Sequence, residues 1–110
     1  GDLDLVVGEG LGGLRLFLQN DSGHLVEPTA AENPFSAINI GTYNAAPNVV
    51  DWDGDGDLDV VIGDSHGKLH FFQQTAQGQI VELIGAENPF SAIDVGHSAA
   101  PSVVDWDGDG

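Results

Sequence analysis

Residues 51–59 read Asp-Trp-Asp-Gly-Asp-Gly-Asp-Leu-Asp, with carboxylates at every second position: Asp51, Asp53, Asp55, Asp57 and Asp59. Acids spaced this way repel one another unless something positive lies among them, so the spacing itself asks for a cation. The ligands on offer are hard oxygens with no His or Cys cluster beside them, which suits Ca²⁺ rather than zinc or copper. Mg²⁺ fits less well, because an all-protein oxygen cage favours the larger and more flexible Ca²⁺ shell. By position, Asp51, Asp53 and Asp55 would supply side-chain oxygens and Gly56 the sharp turn. Asp57 would offer its backbone carbonyl, and Asp59 would close the site. Trp52 and Leu58 would turn away and pack. An EF-hand loop is the obvious competitor, but its twelfth position requires Glu and here falls on Ile62, and the flanks "NVVDW" and "DVVIG" form strands rather than helices.

The same loop recurs in two halves. Asp105, Asp107 and Asp109 stand at its first, third and fifth positions, followed by Gly110, while Asp2 and Asp4 match its seventh and ninth. Neither half can hold an ion alone. The expectation is an inter-subunit metal site, in which the end of one chain meets the start of the next and a cation bridges the break.

These loops must be positioned by a repeated unit. Residues 1–55 align with residues 56–109: "GDLDLVVGEG" with "GDLDVVIGDS", "GGLRLFLQ" with "GKLHFFQQ", "AENPFSAINIG" with "AENPFSAIDVG", and "AAPNVVDWDGD" with "AAPSVVDWDGD". Self-similarity at a fixed period signals units that bury their faces against their neighbours, and the chain divides into a first unit, 1–55, and a second, 56–110. Short runs rich in Val, Ile, Leu and Phe, bounded by Gly, Asn and Asp, are β throughout. In the second unit the pattern predicts strands over about Pro47–Trp52, Leu58–Gly63, Lys68–Gln74 and Ile80–Ile84, with "DSHG" and "TAQGQ" as hairpin turns. "DVVIG" and "NVVDW" are apolar on both faces, as inner strands between stacked sheets would be.

The fold class is therefore all-β, with two four-stranded antiparallel propeller blades per chain. Two blades alone would expose an apolar face at each end. Head-to-tail association into a homo-trimer or homo-tetramer would close a ring of six or eight blades.

"DWDGDGDLDVVIG", preceded by "AAP", resembles the FG-GAP or VCBS repeat, and both units carry the resemblance. The resemblance implies blades of β-propellers such as those of integrin α-chains, bacterial surface proteins and some fungal lectins. It also implies a Ca²⁺-binding loop between the first and second strands of a blade, and an extracellular or cell-surface setting. The Gly-Ala-Pro that names the repeat is here Ala45-Ala46-Pro47 and Ala99-Ala100-Pro101.

A formal net charge of −16, from 18 acidic against two basic residues, argues against nucleic-acid phosphates and anionic membranes as partners. No apolar run is long enough for membrane insertion as a helix. Without cysteine there is neither a disulfide framework nor thiolate chemistry. The serines stand in no nucleophile motif, and carboxylates committed to a cation are poor general bases, so an enzyme is not expected. The function expected is a calcium-binding propeller building block with a scaffold, binding or adhesion role and a glycan or protein ligand. The alternative is a carbohydrate-binding lectin, with Trp52 and Trp106 as the tempting stacking residues. "NPF" at Asn33–Phe35 and Asn88–Phe90 reads as a structural turn with a buried Phe. Arg15, Lys68, His66 and His70 have no like residue in the other unit and read as surface positions.

Overall fold

The computed structural model describes residues 4–29, 31–36, 38–104 and 106–108. Among these described residues, seven strands form two antiparallel sheets. β1 (Leu5–Gly8), β2 (Leu14–Gln19) and β3 (Leu25–Val26) make a three-stranded sheet, and β4 (Ala46–Val50), β5 (Asp59–Gly63), β6 (Leu69–Gln74) and β7 (Ile80–Leu83) make a four-stranded one. Each sheet is a simple meander in which consecutive strands pair antiparallel. Among the described residues no helix is long and apolar enough to cross a membrane.

The turns form where glycine can take a left-handed backbone. Gly67 (φ 84°) and Gly78 (φ 82°) each donate their N–H back across a hairpin, to the carbonyls of Asp64 and Thr75. The Asn-Pro-Phe segments are turns in both units. The side chains of Asn33 and Asn88 accept the N–H of Phe35 and Phe90, each at 2.8 Å, which tucks both phenyl rings into the core.

Two apolar clusters hold the layers together. Leu14 and Leu16 of the first sheet pack with Phe35, Ile38 and Ile40 against Val60, Ile62 and Phe72 of the second. On the far face of the second sheet, Val61 and Phe71 pack with Phe90, Leu69, Leu83 and Val103. β5 is buried along its whole length because both of its faces are covered, as a strand apolar on both faces requires. Gly8 and Gly63 hold equivalent places at the ends of β1 and β5, where the carbonyls of Ala45 and Ala99 approach so closely that a Cβ would lie 1.7 and 2.0 Å from them. The Ala-Ala-Pro segments therefore dock on backbone that must lack a side chain.

The first sheet has three strands rather than the four expected. The sequence counterpart of β4 is Pro101–Val104, which is not in a sheet in the described structure, so β1 has β2 as its only sheet partner among the described residues. β3 is two residues long against four in β7, because Pro28 stands at the position of Leu83 and has no N–H to give to the ladder. Strand ends also differ by a residue or two from the expectation. β4 stops at Val50 because Asp51 begins the loop. Leu58 gives its N–H to the Gln74 side chain, Lys68 makes only an isolated bridge to Asp94, and Ile84 precedes a short 3₁₀ turn, Gly85–Glu87.

Candidate metal centre

The Asp-rich loop joins β4 to β5, and its shape is set by its own backbone. Asp51 is the organiser: its Oδ1 accepts the N–H groups of Gly54 and Asp55 at 2.9 and 3.1 Å, and its Oδ2 accepts that of Gly56 at 2.9 Å. Left-handed Gly54 (φ 77°) and Gly56 (φ 93°) let the chain curl around that carboxylate. Asp53 Oδ1 accepts the N–H of Asp55 at 3.2 Å, and Asp55 Oδ1 accepts that of Asp57 at 2.9 Å. At the far end, Asp59 is fully buried. Its two oxygens accept the N–H groups of Trp52 (3.0 Å) and Gln74 (3.2 Å), which staples the loop to β6.

The result is a cluster of three carboxylates. One oxygen each from Asp51, Asp53 and Asp59 lies within 4.8 Å of the others, close enough to hold a metal ion. Loss of solvent raises Asp53 above its ordinary value; the N–H of Asp55 opposes this, and the Asp55 and Asp59 carboxylates add to it. Asp55 does not join the three; its carboxylate engages Asp57 N–H instead. Asp57 has its N–H turned into the loop.

At the other expected positions, Asp4 is exposed and its Oδ1 accepts the N–H of Gln19 at 3.0 Å, the same bond that Asp59 makes with Gln74. Asp107 is exposed. Asp2, Asp105 and Asp109 lie outside the described residues. Trp52 packs edge-on against Phe90 (ring centroids 4.8 Å apart) and Phe71 (6.5 Å). Trp52 nevertheless keeps 44% of its surface exposed, and Leu58, expected to pack, is exposed, as is Trp106.

Two sets of residues were not anticipated. Gln73 and Gln74 at the end of β6 brace the loop: Gln73 Nε2 donates to Asp53 Oδ2 at 2.7 Å, and Gln74 Oε1 accepts Leu58 N–H at 3.0 Å. The recurrence of Gln at positions 19 and 74 is the sequence signal for the second of these. The other set is Arg15, exposed as a surface position is, and His70, which is half-buried. They occupy equivalent places on β2 and β6, each between two carboxylates. Arg15 forks onto Glu27 at 2.6 and 2.9 Å with Glu9 at 3.7 Å, and His70 bridges Asp64 at 2.9 Å and Glu82 at 3.1 Å. The fork raises the Arg15 pKa and lowers that of Glu27. Burial alone would raise Asp64, but His70 and the N–H groups of Lys68 and His66 outweigh it and hold Asp64 below its ordinary value. The shared arrangement was hidden because the two residues are of different types.

No curated protein and no solved structure matches the chain. The family model of the FG-GAP-like repeat matches it twice, over residues 1–62 and 51–110, and the two matches overlap on the Asp loop. With every residue lying within one match or the other, the chain belongs to the FG-GAP-like repeat family.

Proposed function

We propose that this chain is a calcium-binding β-propeller building block that assembles with copies of itself. The carrying observation is the convergence of Asp51, Asp53 and Asp59 in a loop already curled by its own N–H groups. Three carboxylate oxygens, with the Asp57 carbonyl and water to complete the shell, make the oxygen-only set that Ca²⁺ favours over Mg²⁺. The ion would offset the crowding of the Asp51, Asp53 and Asp59 carboxylates and so tie β4 to β5. Titration calorimetry with Ca²⁺ and Mg²⁺ tests this: Ca²⁺ binds more tightly, and Asp51→Ala abolishes the stronger event. Equal affinity for both ions, or binding unchanged in the variant, would sink the assignment.

Assembly runs head to tail, to a trimer or tetramer, because the two ends of the blade pair carry different apolar surfaces. A second cation position would form from Asp105, Asp107 and Asp109 of one copy and Asp2 and Asp4 of the next. Native mass spectrometry with and without chelator reads both the copy number and the ion count, expected at about two per chain. The biological role of such a ring is scaffolding, extracellular binding or adhesion. The carbohydrate-binding reading has less support, since the Trp52 ring is already engaged by Phe71 and Phe90.

A further inference from the structure

A cavity of about 510 Å³ opens between the two sheets, walled by Val6, Leu16 and Phe35 on one side and Pro47, Val49 and Val60 on the other. Its position in the repeat identifies what is missing from it. Leu16 and Phe35 are the sequence counterparts of Phe71 and Phe90, the two residues against which Trp52 packs in the four-stranded sheet. The three-stranded sheet thus has the seat for a tryptophan, and among the described residues no tryptophan occupies it. The counterpart of Trp52 is Trp106, which is 92% exposed and follows Pro101–Val104, the counterpart of β4.

We propose that this cavity is the seat of Trp106 from a second copy of the chain, whose Pro101–Val104 adds to the free edge of β1 as a fourth strand.

Two further pairs of surfaces agree. Leu5 is 45% exposed on β1, whereas its counterpart on β5, Val60, is 1% exposed at the contact between the sheets. Val95 is 63% exposed, whereas its counterpart Ile40 is 8% exposed at that same contact. The chain therefore displays both halves of an interface that it has already built once internally, one half at each end. The donor strand is also placed for the task, since Val103 packs against the cluster of Val61, Phe71 and Phe90 while its N–H is held by Asn48 Oδ1 at 3.2 Å. It lies beside β4, on the outer side of the second sheet.

The register follows from β4 on β5, where Pro47 pairs with Ile62, Asn48 with Val61 and Val49 with Val60. Between copies, Pro101 then pairs with Val7, Ser102 with Val6 and Val103 with Leu5. Main-chain bonds supply the affinity in such strand addition, and the tryptophan seat supplies the specificity.

This inference rests on the head-to-tail reading above but not on the identity of the cation. The chain has no cysteine, so engineered thiols report cleanly. Full-length Ser102→Cys and Val6→Cys chains, each checked for folding by circular dichroism, are mixed under mild oxidation. A disulfide-linked heterodimer is expected in at least tenfold excess over the mixture of Ser102→Cys with Ser22→Cys, in the turn between β2 and β3. In parallel, Trp106→Ala, at an exposed position, is expected to reduce the assembled fraction at least tenfold by native mass spectrometry while leaving Ca²⁺ uptake at the Asp51 loop unchanged. Equal cross-linking in both mixtures, or full assembly of Trp106→Ala, would overturn the proposal. Absence of Ca²⁺ uptake with in-register cross-links intact would defeat the calcium reading alone.

Discussion

Replacing Gly63 by alanine tests whether the close approach of Ala99 to β5 holds the repeat together. The new Cβ would lie 2.0 Å from the Ala99 carbonyl oxygen and 2.5 Å from its carbon, so the two segments must separate by about 1 Å before the contact is even a tight one. Neither side moves freely. Gly63 is buried at the end of β5, paired to Ala46 on one side and Leu69 on the other, and Ala99 is tied by its own N–H to the Asp64 carbonyl at 2.9 Å. Overpacking of this kind costs about 1–3 kcal/mol, and the strained Ala99 bond adds about 1 kcal/mol. The entropy lost from the unfolded chain on adding a methyl returns only about 0.4–1 kcal/mol. The net expectation is a loss of about 2–3 kcal/mol, read from urea unfolding followed by circular dichroism. Gly78→Ala is the control. It has a left-handed backbone (φ 82°) but nothing within 4 Å, so it should cost about 1–2 kcal/mol from conformation alone. A Gly63→Ala chain within 0.5 kcal/mol of the parent, or less damaged than Gly78→Ala, would refute the reasoning.

Three other outcomes follow from named contacts. Because folding lowers the Asp64 pKa, its contribution is fully present above the unfolded value of about 3.9 and is lost as pH falls through the lower folded value. Asp64→Asn should therefore lower the urea midpoint at pH 7 while flattening the decline between pH 4 and pH 2. Removing the Trp52 ring deletes two edge-on contacts, each worth about 0.5–1.5 kcal/mol, so Trp52→Ala should cost about 2 kcal/mol in thermal or urea unfolding. Asp51→Ala frees the N–H groups of Gly54, Asp55 and Gly56, and hydrogen exchange should speed up at those amides while protection in β5 is retained.

Much of this arrangement was legible in the sequence because repetition doubles the signal. A turn such as Asn-Pro-Phe that recurs in register is read as structure, and both copies do bury their Phe. The alternate-residue acids marked the loop, and the convergence of Asp51, Asp53 and Asp59 follows from the glycines among them. What resisted reading depends on contacts between distant strands. Nothing local says that Asp59 is gripped by the N–H groups of Trp52 and Gln74, or that Gln73 reaches back to Asp53. The Arg15 and His70 bridges were obscured because a guanidinium and an imidazole share no residue identity, although each stands between two acids. The truncation of β3 turned on a single residue, Pro28, against a background that otherwise matches β7.

If the Asp loop takes up a cation as proposed, its internal hydrogen bonds bear on the tempo of ion exchange. A loop that had to fold around its ion would bind slowly and variably, since each encounter would wait on a conformational search. Here Asp51 already gathers three backbone N–H groups and Asp59 is already locked to β6, so little remains to be arranged when a cation arrives. Entry would then be limited by how fast the ion sheds water, which is quick for Ca²⁺ and reluctant for Mg²⁺. Changes in the surrounding residues would express themselves in how long the ion stays rather than in how fast it comes.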